Sequence, residues 1–275
     1  MPSLVEVQSL SRSFALKAQG DAPARRFKAL DDVSFVMTRA ANSRPERIGL
    51  IGPSGSGKST LLRSLSGLIL GDEGSGPITV LGRTVQADGK LGPEVRAARA
   101  DLGMVAQQFN LVGRLSLFTN AALGLLGRIP HLRGLLGLWT PEEKQRVMQA
   151  LDTVGIADKA PQRAKTLSGG QQQRGAIARA IVQDARIILA DEPVASLDPV
   201  TARKVMELLV HVNEDRGVGV IVTLHQVDYA MKYCDRILAL KEGKIVYDGP
   251  ADGLSPERLT EIYGPEIEQA YWRDQ

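Results

Sequence analysis

The segment from Gly52 to Ser59 constrains the fold of this 275-residue chain more than any other feature. It reads GPSGSGKS and fits the pattern G-x4-G-K-[ST], in which glycines let backbone N–H groups turn towards phosphates. The apolar run RIGLI precedes it, and Leu61, Leu62 and Leu65 follow at helical spacing. An ordinary glycine turn is the alternative, but these flanks favour a phosphate-binding loop between a strand and a helix.

Apolar runs alternate with helix signals along most of the chain, which predicts an α/β protein with a largely parallel sheet. The predicted strands are LVEVQSL, VSFVM, RIGLI, ITVL, GMVA, RIILA, VGVIVTLH and RILAL. A capping box at Thr140 and the Asp198-Pro pair each predict the start of a helix. Residues from about 108 to 182 carry helix signals only, which predicts an inserted helical subdomain, and Glu242-Gly243 predicts a late hairpin.

Composition excludes several classes of protein. A formal charge of +3 and 4% aromatic residues argue against a nucleic-acid partner. The longest run without a charged residue has thirteen members, and a membrane-spanning helix needs about twenty. The first ten residues lack the pattern of a secretion signal. The single cysteine, Cys234, favours a reducing interior and is expected to be a buried apolar filler.

A second group of candidate site residues follows an apolar strand, at Asp191 and Glu192. Ligands bind at the carboxyl ends of parallel strands, so these acids are expected near the phosphates. Asp191 is expected to hold Mg²⁺ through water, and Glu192 to polarise the attacking water. Lys58 and Ser59 are expected to reach the phosphates and to ligate Mg²⁺, respectively. An apolar run that ends in Asp-Glu is common at turns, and it gains weight here from the phosphate loop.

The segment LSGGQ, which begins at Leu167, is the third candidate. Ser168 is predicted to cap a helix whose N-terminal amides point at an anion. A plain capped helix is the alternative, although glycines at two positions of the first turn cost about 1 kcal/mol each. Close approach of a phosphate would account for that cost.

Together these segments resemble the ATP-binding subunits of ABC transporters. The phosphate loop, Gln107, LSGGQ, Asp191-Glu192, ASLD ending at Asp198, and His225 occur in that family's order. The resemblance covers about residues 3–250 and leaves a short tail at 251–275. It implies a RecA-like P-loop NTPase core (about 3–106 and 183–250) with an antiparallel β part and an inserted α-helical subdomain (about 107–182). It also implies a head-to-tail homodimer, in which LSGGQ of one chain completes the ATP site of the other.

The resemblance also implies roles for individual residues. Glu192, His225 and Gln107 would act in catalysis, and Asp198 would shape the dimer seam. Mg²⁺ would be held by Ser59, Gln107 and Asp191. The implied ATP-binding residues are Gly52, Pro53, Ser54, Gly55, Ser56, Gly57, Lys58, Ser59 and Thr60. The residues implied to act on the partner chain's ATP are Ser168, Gly169, Gly170 and Gln171.

Three of these assignments have alternatives. Phe14 resembles the aromatic residue that stacks on adenine, but Phe27 is a rival because the segment 15–28 is an insertion. Gln107 becomes Gln108 if the alignment slips by one residue. His225 could be a structural histidine, since only its position after an apolar strand distinguishes it.

A narrower resemblance points to the ATP-binding subunits of phosphonate importers. It rests on PITVLGRTVQADGKL, QQFNLVGRLS, LADEPVASLDP and VTLHQVDYAMKYCDRILALKEGKIVYDG. It implies a peripheral protein on the cytoplasmic face of the inner membrane that works with permease subunits and a periplasmic or extracellular phosphonate-binding protein. The alternatives are a phosphate or polar amino acid importer, or a soluble ABC ATPase outside transport. The chain departs from the family pattern at the 15–28 insertion, Pro45 and Gly175.

The stretch 109–140 contains no acidic residue and is rich in leucine, which favours a docking surface for a membrane partner over a plain core. The surface is expected to run from Phe109 and Leu111 to Trp139, with arginines at its rim. Glutamate at Leu115 or Leu117 is therefore expected to block docking and to spare ATPase activity. The basic residues of the stretch are Arg114, Arg128 and Arg133.

Overall fold

The computed structural model describes residues 3–16, 25–39, 44–106 and 110–264. The chain divides into two compact units. The first unit comprises residues 1–98 and 223–275, and the second comprises residues 99–222. Within the described ranges, no helix combines the length and the apolar character that crossing a membrane requires.

Strands and helices alternate in both units. The strands of the described residues are β1 (Val5–Leu16), β2 (Arg25–Met37), β3 (Arg47–Ile51), β4 (Ile78–Val80), β5 (Arg83–Ala87), β6 (Lys90–Leu91), β7 (Leu102–Val105), β8 (Ile187–Ala190), β9 (Gly219–Thr223), β10 (Arg236–Lys241) and β11 (Lys244–Pro250). The α-helices are α1 (Lys58–Leu65), α2 (Val95–Asp101), α3 (Leu117–Ala122), α4 (His131–Leu135), α5 (Pro141–Thr153), α6 (Gly169–Val182), α7 (Pro199–Arg216), α8 (Val227–Tyr233) and α9 (Pro256–Tyr263). Short 3-10 segments lie at Leu123–Gly127, Ala157–Lys159, Ala164–Thr166 and Ala251–Gly253.

The first unit contains an antiparallel sheet in the order β2-β1-β4-β5-β6. Strands β1 and β2 extend into the 15–28 insertion, because cross-strand pairs such as Phe14–Phe27 continue the ladder there. Strand β3 pairs in parallel with β10, and β10 turns back into antiparallel β11. The Lys241–Lys244 pair flanks that turn, so the predicted hairpin at Glu242-Gly243 is confirmed.

The second unit contains parallel strands. Strand β8 pairs in parallel with both β7 and β9, and all four residues of β8 are buried. Residues 110–182 of this unit form helices, 3-10 segments and turns. An antiparallel sheet together with parallel strands and intervening helices is the architecture of a P-loop NTPase, so the predicted fold class is confirmed.

Local capping signals place the helix starts. Thr140 accepts a hydrogen bond from the N–H of Glu143, and the Glu143 carboxylate accepts one from the N–H of Thr140. This is the predicted capping box at the start of α5, and α7 begins at Asp198 as predicted. Each cap satisfies N–H groups that have no partner inside the helix.

Close packing of α3 against α6 corrects one expectation about the 109–140 stretch. A Cβ on Gly175 of α6 would lie only 2.7 Å from Cδ1 of Leu117, so a β-branched residue at this position would clash. Leu117 is fully buried in this contact. The prediction that Leu117 lies on a docking surface is therefore wrong, because its side chain fills the space that Gly175 leaves open.

An ion-pair cluster joins the starts of β3 and β10. Arg44 and Arg47 both contact the carboxylate of Asp235, at 2.5 Å and 2.9 Å, and the N–H of Arg47 donates to it at 2.8 Å. Burial alone would raise the pKa of Asp235, but these hydrogen bonds outweigh burial and lower the pKa to about 2. Burial raises the pKa of the neighbouring Cys234 thiol to about 12, so this buried thiol stays protonated, in keeping with an apolar filler.

The Asp235 cluster generates a pH-dependent prediction. Its depressed pKa means that the ionised carboxylate stabilises the fold above its unfolded-state pKa, and that this contribution fades as the pH falls towards 2. Asp235→Asn should lower the free energy of unfolding at pH 7 by about 1–2 kcal/mol, after allowance for partial exposure. Urea titrations between pH 7 and 3.5 should show the difference from wild type shrinking below about pH 4. A pH-independent difference, or an equal loss in the exposed control Asp252→Asn, would contradict this account.

Candidate active site

The predicted phosphate loop lies between β3 and α1, and glycine is required at two of its positions. Gly52 has φ +138°, and a Cβ there would lie 2.0 Å from the carbonyl oxygen of Leu240. Gly57 has φ +105°, and its Cβ would lie 2.3 Å from the carbonyl oxygen of Ala29. Any L side chain would therefore meet both strain and a backbone clash. The glycines let the loop pass closely between β10 and β2.

Lys58 is the first residue of α1 and is buried. Its ammonium group donates to the carbonyl oxygens of Gly52 at 2.7 Å and Pro53 at 3.0 Å. The first turn of α1 carries no acidic residue and its N-cap is a glycine, so the positive end of the helix dipole faces the loop without a competing carboxylate. Lysine and helix together provide a positive site for an anion.

His225 lies beside the start of the phosphate loop. The N–H of Leu224 donates to the carbonyl oxygen of Leu50 at 3.0 Å, which aligns the chain after β9 with the end of β3. His225 is the next residue and is exposed. Within the first unit, the structure therefore brings His225 and the phosphate loop to neighbouring positions.

The two candidates for adenine stacking form one cross-strand pair. Phe14 on β1 faces Phe27 on β2, and the guanidinium of Arg12 lies 4.7 Å from the Phe14 ring centroid. Phe27 is 45% exposed. Both rings remain candidates, since they occupy adjacent positions at the same end of the antiparallel sheet.

The acidic pair of the second unit follows β8 as predicted. The N–H of Asp191 donates to the carbonyl oxygen of Val105 at 2.8 Å, so the ends of β7 and β8 are tied together. The side chain of Asp191 is almost fully buried. Glu192 has φ +49°, a left-handed conformation that is uncommon outside glycine and often marks functional turns. Gln107, its rival Gln108 and Phe109 lie outside the described residues.

A basic residue that the sequence reasoning missed borders the Gln107 segment. Arg179 of α6 donates to the carbonyl oxygen of Asn110 at 2.7 Å and to that of Met104 at 3.4 Å. Burial lowers the pKa of its guanidinium, although an arginine remains charged at any physiological pH. The signal that could have revealed Arg179 is its place on the helix that begins with LSGGQ, on the face that packs against β7.

The LSGGQ segment forms the N-terminus of α6. Ser168 accepts a hydrogen bond from the N–H of Gln171, and the Gln171 amide oxygen accepts one from the N–H of Ser168 at 2.9 Å. A Cβ on Gly170 would lie 2.2 Å from Cγ2 of Thr201 in α7. Position 170 therefore requires glycine because α7 packs against it, a reason that the sequence alone did not reveal.

Asp198 caps α7 beside this contact. Its carboxylate accepts hydrogen bonds from the N–H groups of Val200 at 3.1 Å and Thr201 at 3.0 Å. The pKa of Asp198 is lowered, and the hydrogen bonds from Thr201 are the largest cause. Since Thr201 also touches Gly170, the second unit brings Asp198 and the LSGGQ segment together.

A C-terminal residue that the sequence reasoning missed contacts the phosphate loop. The hydroxyl oxygen of Tyr263, the last residue of α9, accepts a hydrogen bond from the N–H of Gly52 at 2.9 Å. Tyr263 lies in the short tail 251–275, beyond the part of the chain that the resemblance covers. Ser255 followed by proline is the helix-start signal that could have revealed α9.

Comparisons with known proteins identify relatives along nearly the whole chain. A protein from Caulobacter vibrioides described as "Phosphonates import ATP-binding protein PhnC" is 63% identical over 89% of this chain and 91% of its own length. A protein from Maricaulis maris with the same description is 59% identical over 89% of this chain and 90% of its own length. The solved dimeric structure of a bacterial ABC transporter cassette superposes with a TM-score of 0.74 at 30% identity, covering 90% of this chain and 98% of that one.

The family assignment follows from these matches and the architecture. The model of the family described as "ABC transporter" matches residues 36–195, which include the phosphate loop, LSGGQ and Asp191. The chain belongs to the ABC transporter family.

Proposed function

We propose that this chain is the ATP-binding subunit of an ABC importer, and that it hydrolyses ATP to power the uptake of phosphonates through a separate permease. The observation that carries the proposal is the glycine-built loop at 52–57, with the buried Lys58 ammonium directed at it. The shared description of the relatives favours phosphonates over phosphate or polar amino acids as cargo. The working location is the cytoplasmic face of the inner membrane, next to the permease.

The phosphate loop binds the triphosphate of ATP. Its residues Gly52 to Thr60 surround the phosphates, backbone N–H groups that follow Pro53 turn towards them, and the N-terminus of α1 adds its dipole. Lys58 leaves the carbonyl oxygens of Gly52 and Pro53 and moves to the β and γ phosphates. The adenine ring stacks on Phe14 or Phe27.

The residues assigned to Mg²⁺ suit that ion. Ser59, Gln107 and Asp191 offer hydroxyl, amide and carboxylate oxygens, the donors that Mg²⁺ prefers. A carboxylate as buried as that of Asp191 gains from a nearby cation. Bound with ATP, Mg²⁺ supplies positive charge against the phosphate oxygens.

Hydrolysis depends on Glu192. Its carboxylate polarises the attacking water and takes up a proton as the water's oxygen bonds to the γ-phosphorus. The bond from that phosphorus to the β–γ bridging oxygen breaks, so that ADP leaves and phosphate is formed. His225 contacts the γ-phosphate, and Gln107 responds to the γ-phosphate and passes that state to the permease. These roles are consistent with the position of Glu192 directly after Asp191 at a strand end.

A homodimer completes each site. Ser168, Gly169, Gly170 and Gln171 present the capped N-terminus of the fourteen-residue helix α6 to the ATP of the partner chain. Asp198, which is linked to Gly170 through Thr201, shapes the seam. One solved neighbour at 30% identity is a dimeric cassette bound to ADP and Pi, which supports this arrangement.

A cluster of exposed leucines within the proposed helical subdomain, residues 107–182, docks the permease. Leu132, Leu136 and Leu138 are 71%, 61% and 57% exposed in and after α4. Arg133 lies between them and pairs with Glu143 at 2.5 Å. Several large apolar side chains left in solvent within seven residues favour a partner surface. This docking cluster, Leu132, Leu136 and Leu138, lies within the predicted surface from Phe109 to Trp139, whereas the buried Leu117 is not part of it.

Glu192→Gln tests the function. The variant should bind MgATP and slow hydrolysis by about 100-fold or more, because the amide cannot accept the proton. Uptake is tested in cells that carry the cognate permease but lack the native chain. Wild type should restore uptake of a radiolabelled phosphonate, and Glu192→Gln should not. Glu207→Gln, exposed on α7, is the matched control and should behave as wild type. Near-normal turnover of Glu192→Gln would refute the role of Glu192. Restored uptake of phosphate or amino acids instead of phosphonate would refute the cargo.

The docking cluster generates a second prediction. Leu132→Glu combined with Leu136→Glu should leave the ATPase activity of the isolated subunit within about twofold of wild type, since both side chains are already in solvent. Co-purification with the permease and phosphonate uptake should be lost. Leu68→Glu, at a position 62% exposed in the first unit, should affect neither. Normal assembly and uptake by the double variant would show that this cluster is not the docking surface.

A further inference from the structure

The C-terminal helix α9 is an integral part of the first unit. Leu259 and Ile262 are buried, and the ammonium of Lys241 at the end of β10 donates to the carbonyl oxygen of Glu261. These contacts hold the last turn of α9 against the strand that borders the phosphate loop. Tyr263 is thereby fixed with its hydroxyl oxygen 2.9 Å from the nitrogen of Gly52.

The N–H of Gly52 needs this acceptor. The pairing of β3 with β10 ends at Ile51 and Ala239, so Gly52 lies just past the ladder. Gly52 is buried, and a buried backbone N–H without a partner is costly. The phenol satisfies it and also fixes the orientation of the peptide that enters the loop.

Lys58 and Tyr263 bond to the two backbone polar groups of Gly52. Lys58 donates to the carbonyl oxygen of Gly52, whereas Tyr263 accepts from its N–H. Movement of Lys58 to the phosphates, as proposed above, breaks its bond to Gly52 and requires no change in the bond to Tyr263. Gly52, at a φ of +138° that only glycine adopts readily, then depends on Tyr263 to keep its conformation.

We propose that Tyr263 is a positioning residue for nucleotide binding: through the N–H of Gly52, its hydroxyl holds the phosphate loop in the conformation that accepts MgATP. The proposal rests on the proposed nucleotide site and adds α9 to the elements that shape it. Tyr263 acts through Gly52 and is not a catalytic residue. Burial raises the pKa of its phenol to about 12, so it stays neutral at physiological pH and adds no charge to the phosphate site.

Tyr263→Phe tests the proposal, because it removes one oxygen and keeps the ring that packs α9. Loss of a single hydrogen bond of this kind should raise KM for MgATP about fivefold and leave kcat within about twofold of wild type. Tyr247→Phe is the matched control. The Tyr247 hydroxyl donates to the carbonyl oxygen of Pro250 at 2.7 Å in the same unit and not to the loop, and its removal should leave KM unchanged.

Amide hydrogen exchange separates positioning from general stability. In the nucleotide-free protein, Tyr263→Phe should accelerate exchange at Gly52, and Tyr247→Phe should not. A lower urea midpoint with unchanged KM and unchanged Gly52 exchange would mean that Tyr263 is only structural, and would overturn the proposal. If wild type itself shows no saturable MgATP turnover, the proposed function fails and this inference fails with it.

Discussion

Exclusion of a side chain at Gly52 is the constraint on which the first unit's site depends. The Leu240 carbonyl oxygen occupies the space of a Cβ, 2.0 Å from its ideal position, and Ala29 does the same at Gly57. Strands β10 and β2 can press against the loop because glycine stands at both points. That packing holds the loop in the conformation for which we propose phosphate binding. The same loop conformation sets the position of Lys58, which directly follows Gly57.

In the second unit, helix caps position the candidate residues. In the first unit, the exclusion of side chains at Gly52 and Gly57 does so. Ser168 and Asp198 each satisfy the first N–H groups of a helix, and Gly170 lets the two capped ends approach through Thr201. Further along α6, Arg179 donates to the carbonyl oxygens of Met104 and Asn110. A single helix thus carries both the LSGGQ end and bonds to Met104 and Asn110, which lie on either side of residues 107–109 in the sequence.

Features set by neighbouring residues could be predicted from the sequence, and features set by distant contacts could not. The phosphate loop, the caps at Thr140 and Ser168 and the hairpin after Lys241 each depend on a few adjacent residues, and all are present. The burial of Leu117 depends on Gly175, in another helix, so the leucine pattern alone misplaced it. Tyr263 was missed because its partner Gly52 is 211 residues away. The outer strands β5 and β6 were missed because they are short and mostly polar.

The most direct test of the central claim, that each ATP site combines the phosphate loop of one chain with LSGGQ of the other, is a mixing experiment. Lys58→Ala should disable the site on its own chain, and Ser168→Arg should disable the site on the partner. Each variant alone should be inactive, but a heterodimer of the two retains one intact pair of half-sites. The account predicts that ATPase activity returns on mixing. No recovery, with heterodimers demonstrated by differential tags, would contradict it.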